Sequence, residues 1–241
     1  MISERTLSGQ SGALLLWSTS PSPAEATAIT IARFRKHRVT VEPLKLVVLQ
    51  TPLETPNEAE VSKLSDHFSG HGVDVDVSDP DLQTRADAYD PDVVAAIRGA
   101  DLVFISGGQP TRMIEMIRDT PALAALCDAS NDGAVVGGGS AGAMIFGAGM
   151  LDGSPDSHRP TPLLEWLPGI VIAPHYGNYP IAPWPKAYPD CTFLCLPDRS
   201  AALVTHNRSR ITSVGDVPAL IIDRLTDSTR HLSLGTSLVL S

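Results

Sequence analysis

The sequence is poor in the residues that mark disulfide-rich, nucleic-acid-binding and membrane proteins. Its 241 residues include only three cysteines (Cys127, Cys191 and Cys195), which cannot all pair with one another and do not show zinc-ligand spacing. Acidic residues outnumber basic ones by 27 to 18, whereas a nucleic-acid-binding protein usually carries a basic face. No stretch approaches the roughly 18 apolar residues of a membrane-spanning helix. These shortages argue against a disulfide framework, a metal site, a nucleic-acid partner and a membrane span.

The chain also lacks the features of a secretory signal. Residues 1–5 show no basic region followed by an apolar stretch of signal length, and three cysteines suit a reducing compartment. We therefore expect a soluble, cytoplasmic protein. A hydrophobic content of 43% is enough for one sizeable core. We expect a single α/β domain over residues 1–241, with a short-stranded tail from about residue 201. The sequence does not determine the oligomeric state, and a homodimer is compatible with it.

Strand-like and helix-like segments alternate along the chain. Short apolar runs predict strands at 13–17, 45–49, 73–77, 101–105, 134–136, 169–173 and 192–196. Amphipathic segments predict helices at 24–38, after a cap at Asn57, and at 91–98, 111–117 and 122–129. This alternation predicts a three-layer αβα sandwich around a mainly parallel sheet. In such folds ligands bind at the carboxyl ends of the strands.

The most informative segment is a glycine-rich run after the predicted strand at Val135. Residues 138–142 read Gly-Gly-Ser-Ala-Gly and satisfy the pattern G-x-S-x-G. In a nucleophile elbow, this pattern holds a serine at strained backbone angles, so that its hydroxyl stands clear of the sheet. The glycines are needed because side chains there would collide with the neighbouring strand and helix. Ser140 is therefore the candidate nucleophile, with a helix expected to begin near Ala143.

Two other interpretations of the same run remain open. Residues 137–142 also match G-x-G-x-x-G, the dinucleotide-binding fingerprint. That fingerprint expects an acidic residue roughly 20 positions on, at the end of the next strand, but the corresponding stretch, 157–162, has the composition of a loop. The run could also be a plain strand-to-helix turn without chemistry.

A serine nucleophile needs a base, and the base needs an acid to orient it. His175 directly follows the predicted strand at 169–173 and Pro174, in an irregular, aromatic-rich loop of the kind that lines pockets. Asp198 follows the strand at 192–196 in the same way, whereas Asp156 lies in the loop between the candidate nucleophile and base. Suitable groups at successive strand ends favour Ser140, His175 and Asp198, with Asp156 as the alternative acid.

The candidate site also needs donors for the oxyanion that forms during attack on a carbonyl. Backbone amides just after the nucleophile and in a neighbouring glycine-rich turn supply such donors in hydrolases. Gly107, Gly108 and Gln109 form that turn after the predicted strand at 101–105. Glycines at this point would let the backbone approach the substrate closely.

Four segments in this order resemble the serine-peptidase family of aspartyl dipeptidase (peptidase E) and cyanophycinase, within the class I glutamine-amidotransferase-like superfamily. They are Phe104–Gln109, the elbow at Gly139–Ala143, Ile172–Tyr176 and Leu196–Asp198. The resemblance implies a Ser140, His175 and Asp198 triad, oxyanion amides at Gly108 and Ala141, a small peptide as substrate, and no metal or other cofactor.

The sequence departs from the dipeptidase pattern at positions near the expected substrate. Asp198 stands where the dipeptidase has a glutamate, so the carboxylate is one methylene shorter, and Gln109 replaces an asparagine. The first strand leads into Trp17 and Ser18 instead of a glycine-rich loop. The interval from His175 to Asp198 is also shorter. These differences imply that substrate specificity need not follow that of the dipeptidase.

Overall fold

The computed structural model describes residues 12–19, 43–50, 58–70, 72–151, 160–178, 184–205, 209–223 and 228–239. The helix predicted at 24–38, the cap at Asn57 and the alternative acid Asp156 lie outside these ranges.

Strands and helices alternate in the first half of the described chain, and strands dominate the second half. The strands are β1 (Leu14–Trp17), β2 (Leu44–Leu49), β3 (Val75–Ser78), β4 (Leu102–Ile105), β5 (Val135–Gly139), β6 (Gly149–Leu151), β7 (Pro160–Pro162), β8 (Ile170–Pro174), β9 (Thr192–Leu196), β10 (Ala201–Thr205), β11 (Arg210–Ser213), β12 (Ala219–Asp223), β13 (Ser228–Leu232) and β14 (Ser237–Val239). The helices are α1 (Glu58–Gly70), α2 (Pro91–Arg98), α3 (Pro110–Ile117), α4 (Pro121–Asn131), α5 (Ala141–Met144) and α6 (Trp184–Ala187).

The larger sheet has the order β14-β11-β10-β1-β5-β4-β2-β3 in the described part of the chain. Strands β1, β5, β4, β2 and β3 run parallel to one another. Strands β10, β11 and β14 extend the sheet in antiparallel pairing from β1. β5 precedes the candidate nucleophile and lies between two parallel neighbours, β1 and β4. The segment that follows the carboxyl end of β5 is therefore close to the segments that follow β1 and β4.

A second, smaller sheet has the order β13-β12-β9-β8. Its β8 and β9 are parallel, with Pro174 opposite Leu196, while β12 and β13 are antiparallel additions. The sequence predicts a single sheet, so this division is a difference from the prediction. Strands of the predicted tail are shared between the two sheets, because β10 joins the larger one and β12 the smaller one.

The central strands β1, β4 and β5 of the larger sheet are buried on both faces, which gives the layered α/β fold that the alternation predicts. Along β1, Leu14 and Leu16 face one core while Leu15 and Trp17 face another. The first core also contains residues of α2, α3 and α4 and the inner face of the smaller sheet. The second core is covered by Leu64 and Phe68 of α1. Successive side chains of a strand point to opposite faces of the sheet, so residues of β1 alternate between the two cores. Both sets are apolar because both faces of the sheet are covered at this strand.

The boundary at the glycine-rich run differs from the prediction. β5 continues through Gly139, and α5 begins at Ala141 and lasts one turn, earlier and shorter than the helix expected near Ala143. The helices predicted at 111–117 and 122–129 are separate in the structure, because Asp119 has φ 57° and the Thr120 hydroxyl caps the second one. None of the helices among the described residues is long and apolar enough to cross a membrane.

Candidate active site

Ser140 occupies a sharp turn between β5 and α5. Its backbone angles are φ 53° and ψ −119°, a conformation that costs a non-glycine residue free energy and that is found preferentially at functional sites. Its N–H donates to the carbonyl oxygen of Trp17 at 3.0 Å, and its carbonyl accepts from the N–H of Ala143 at 3.0 Å. The turn is therefore held on one side by β1 and on the other by α5.

The glycines that flank Ser140 are required by close backbone approach. A Cβ on Gly138 would lie 2.5 Å from the carbonyl of Gly142, and a Cβ on Gly142 would lie 2.1 Å from the carbonyl oxygen of Ile105. Real Cβ contacts are essentially never so short. The expectation that side chains here would collide with the neighbouring strand and helix agrees with this geometry.

His175 follows β8 and points its imidazole at the candidate nucleophile. Nε2 lies 2.9 Å from the Oγ of Ser140, which is hydrogen-bond distance. His175 has φ 54°, so it shares with Ser140 a left-handed backbone conformation that is uncommon for non-glycine residues. The main chain after it is tied to β9, because the N–H of Tyr176 donates to the carbonyl of Leu196 at 3.1 Å.

Asp198 follows β9 and contacts the other side of the imidazole. Its Oδ1 lies 2.7 Å from His175 Nδ1, and its Oδ2 accepts from the Nδ2 of Asn178 at 2.5 Å. The hydroxyl of Ser18 donates to Oδ1 at 3.2 Å. The hydrogen bond from His175 lowers the pKa of Asp198 most, and the bonds from Asn178 and Ser18 lower it further. Asp198 is therefore ionised at neutral pH.

Asp198 reaches this position because its segment connects the two sheets. The chain leaves β9 of the smaller sheet at Leu196 and enters β10 of the larger sheet at Ala201. The carbonyl of Ser200, in this connection, accepts from the N–H of Ser18 at 3.1 Å. Groups that follow strands of different sheets therefore meet at one edge of the molecule.

The glycine turn after β4 lies beside the candidate nucleophile. A Cβ on Gly107 would be 3.5 Å from the Cβ and 3.9 Å from the Oγ of Ser140. Gly108 follows and is exposed, and Gln109, also exposed, has an extended backbone and directly precedes α3. Ala141 is the first residue of α5, and amides at the first positions of a helix have no intrahelical acceptor.

Sequence reasoning singled out Ser140, His175 and Asp198, and the structure brings these three side chains into contact. It missed Ser18 and Asn178 as partners of Asp198. Both also follow strand ends, β1 and β8, and that position was the signal available for them. The next strands after the glycine run, β6 and β7, pair with each other antiparallel. That pairing is unlike the parallel βαβ unit that the dinucleotide interpretation requires.

Within the described ranges, no three His, Cys, Asp or Glu side chains are grouped in a way that could hold a metal ion. Cys195 is fully buried in β9, and burial raises the pKa of its thiol to about 12. Its thiol is therefore protonated at neutral pH, and its side chain lies in a hydrophobic cluster with Val171 and Phe193 of the same sheet. Cys195 is a core residue and contributes no nucleophile to the site.

The fold is α/β, and a strained serine lies at a strand-to-helix turn with a histidine nitrogen at hydrogen-bond distance from its hydroxyl. These features are those of the serine hydrolases as a class of protein. The sequence pattern of Peptidase family S51 matches residues 59–210, more than half of the chain. The chain belongs to Peptidase family S51 and is a hydrolase of the serine-peptidase type. The matched segment includes Ser140, His175 and Asp198 and excludes Ser18.

Solved structures of similar shape include two proteins with related descriptions. A peptidase from an acI-B1 Actinobacterium is 20% identical, covers 96% of this chain and 98% of its own, and superimposes with a TM-score of 0.79. A peptidase E-like protein from Listeria monocytogenes EGD-e is 15% identical, covers 85% of this chain and 98% of its own, and gives a TM-score of 0.59. At these identities the likeness shows the fold. No curated protein matches the chain in sequence.

Proposed function

We propose that the protein hydrolyses an amide bond in a small peptide, with Ser140 as nucleophile, His175 as general base and Asp198 as the carboxylate that orients the base. The observation that carries the proposal is the continuous line of contacts from Ser140 Oγ to His175 Nε2, 2.9 Å, and from His175 Nδ1 to Asp198 Oδ1, 2.7 Å. Both lengths are those of hydrogen bonds, and the order of groups is that of a serine-hydrolase triad.

The ionised acid sets the direction of proton movement. A carboxylate can only accept, so the proton of a neutral His175 is on Nδ1 and Nε2 is free to accept from Ser140. As Oγ attacks the substrate carbonyl carbon, Nε2 takes the hydroxyl proton and then delivers it to the departing amine nitrogen. A water molecule repeats these steps on the acyl-enzyme, which releases the acid product and restores Ser140.

The negative charge on the substrate oxygen needs donors that are already in place. The amides of Gly108 and Ala141 are the proposed donors, on opposite sides of Ser140 in the chain. A Cβ built on Gly107 would be in van der Waals contact with the Ser140 side chain, so the turn that carries Gly108 lies beside the proposed nucleophile. Gln109, at the exposed end of the same turn, is a proposed substrate contact.

The size of the substrate follows from the resemblance to dipeptidases and cyanophycinase, and an isopeptide-like linkage fits the same chemistry. A library of dipeptides with both α-peptide and isopeptide linkages therefore tests substrate identity without bias.

Labelling with a fluorophosphonate probe tests the chemistry independently of substrate. We expect the wild-type protein to be labelled, the Ser140→Ala variant to remain unlabelled, and both to have the same circular dichroism spectrum. Ser213→Ala is a matched control, because Ser213 of β11 is fully buried and its hydroxyl accepts from the N–H of Ala219 of β12 at 3.0 Å. We expect this control to be labelled at the wild-type rate.

Undiminished labelling of Ser140→Ala would show that another residue is the nucleophile. A wild-type protein that stays unlabelled at high probe concentration would instead indicate a member of the fold that binds a metabolite or a partner without catalysis.

A further inference from the structure

Ser18 is a buried polar residue at the point where β1 ends, next to β5 in the larger sheet. It is fully buried, and its hydroxyl makes two hydrogen bonds to residues distant in sequence. Oγ accepts from the N–H of His175 at 2.9 Å and donates to Oδ1 of Asp198 at 3.2 Å. One hydroxyl therefore joins the main chain of the proposed base to the side chain of the proposed acid.

The direction of this pair of hydrogen bonds is determined by its ends. A backbone N–H can only donate and an ionised carboxylate can only accept, so the Ser18 hydroxyl proton must point at Asp198. Hydrogen bonds in such a chain polarise one another and strengthen together. Unlike an exposed serine hydroxyl, which rotates among water molecules, this one has a single satisfied orientation.

The two groups that Ser18 joins need this support. The Asp198 side chain is 42% exposed and the His175 side chain 25% exposed, so core packing alone does not hold them. His175 also has a left-handed backbone, φ 54°, which persists only when the surrounding contacts favour it. An aspartate is one methylene shorter than a glutamate, so the base and the acid must be drawn close for the 2.7 Å contact to form.

The segment that carries Ser18 also contacts the nucleophile. The carbonyl of Trp17 accepts from the N–H of Ser140, and the N–H of Ser18 donates to the carbonyl of Ser200 beside Asp198. Two consecutive residues therefore touch the strand-end segments that carry Ser140, His175 and Asp198. Both lie outside the span 59–210 that matches the family.

We propose that Ser18 is a positioning residue of the hydrolase, whose hydroxyl sets the distance between His175 and Asp198 and so keeps the imidazole aligned with Ser140. The inference rests on the proposed function of these three residues. The Ser18 hydroxyl bonds to Asp198 and to the N–H of His175, so its effect passes through the acid and the main chain of the base. Asn178 binds the other carboxylate oxygen through Nδ2, and its main-chain N–H donates to the carbonyl of His175 at 2.9 Å, so its side chain contacts only the acid of this pair in the hydrogen bonds described.

The test measures the rate constant of fluorophosphonate labelling in matched variants. Ser18→Ala removes both hydrogen bonds, and we expect labelling about 10- to 100-fold slower, as for loss of a hydrogen bond to a charged group. Ser18→Thr keeps the hydroxyl and is expected to restore most of the rate. Ser213→Ala controls for the loss of a buried serine and is expected to react at the wild-type rate.

A double-mutant cycle separates positioning from general destabilisation. If Ser18 acts through Asp198, Ser18→Ala should have little further effect on labelling once Asp198→Asn is present. An equal slowing in both backgrounds, or a wild-type rate in Ser18→Ala, would overturn the proposal. If Ser18→Ala fails to fold, Ser18→Cys replaces it, since a thiol is of similar size and only a weak donor. For Ser18→Cys too, an equal slowing in both backgrounds or a wild-type labelling rate would overturn the proposal.

A spectroscopic readout needs no labelling and so remains informative if Ser140 proves unreactive. The Nδ1 proton between His175 and Asp198 is expected to give a downfield proton resonance that is absent in His175→Gln. Ser18→Ala should shift this resonance upfield or abolish it, and Ser213→Ala should leave it in place. An unchanged resonance in Ser18→Ala would contradict the proposed positioning, whereas failure of wild-type labelling alone would contradict the proposed function.

Discussion

The two sheets hold their parts of the site by different means. In the larger sheet, Ser140 follows a strand with parallel partners on both sides, and its turn is closed by backbone contacts at Gly138 and Gly142. In the smaller sheet, His175 and Asp198 follow neighbouring strands and lie partly in solvent. The nucleophile is therefore positioned by packing of the main chain, and the base and acid by hydrogen bonds that involve side chains.

This difference separates stability from activity. Close-packed backbone cannot give way without loss of folding free energy, whereas a partly exposed hydrogen bond contributes little to folding and can still determine a catalytic geometry. Substitutions beside Ser140 should therefore unfold the protein, and substitutions around His175 should inactivate it while it stays folded.

The largest effect is expected from Asp198→Asn. The amide cannot fix the Nδ1 proton of His175 as a carboxylate does, so the imidazole is held in the wrong tautomer, and hydrolysis or probe labelling should fall by about 10³- to 10⁴-fold. The midpoint of urea unfolding should change little near neutral pH, because the side chain is half exposed. Stopped-flow or quenched labelling, paired with urea titration, measures both.

A large loss of stability in Asp198→Asn, or a loss of activity below about tenfold, would remove the distinction between the two sheets. Asp87→Asn is a suitable control. Asp87 is a partly exposed aspartate whose pKa is also lowered, first by the backbone N–H of Thr84, and it begins a short 3-10 helix, Asp87–Tyr89. It should leave labelling unchanged.

The second effect is on folding and concerns Gly142→Ala. The new Cβ would lie 2.1 Å from the carbonyl oxygen of Ile105, and we expect a loss of about 3 kcal/mol or more in unfolding free energy. Gly177→Ala is the matched change near the smaller sheet. A Cβ there meets nothing within 4 Å, and the cost is limited to its φ of 99°, about 1–2 kcal/mol.

Denaturation of both variants in urea measures this contrast. Equal losses of stability for Gly142→Ala and Gly177→Ala would mean that the turn at Ser140 can relax, and that packing does not position the nucleophile. A folded Gly142→Ala variant that is labelled at the wild-type rate would likewise show that packing does not position the nucleophile.

The sequence predicts most of this site because three of its groups follow apolar strands, and a strand's carboxyl end is recognisable locally. It does not predict the second sheet, because β8 and β9 are apolar runs like those of the larger sheet, and their pairing is a long-range choice. The role of Ser18 as a partner of His175 and Asp198 is not predicted, for a similar reason. Its hydroxyl partners lie 157 and 180 residues further along the chain, beyond the reach of any local pattern.

The smallest predicted effect is the contribution of Asp198 to the pH dependence of stability. The hydrogen bond from His175, with those from Asn178 and Ser18, holds the pKa of Asp198 below its ordinary value of 3.8. A carboxylate with a lowered folded-state pKa stabilises the protein above its unfolded-state pKa, and that contribution is lost as the pH falls through the folded-state value.

The difference in urea midpoint between the wild type and Asp198→Asn should therefore be greatest near neutral pH and shrink on acidification below about 3.8. The loss of unfolding free energy in Gly142→Ala arises from packing and involves no titrating group. This loss should stay constant over the same pH range. If the Asp198→Asn difference instead grew on acidification, hydrogen bonds to the ionised carboxylate would not hold the acid in place.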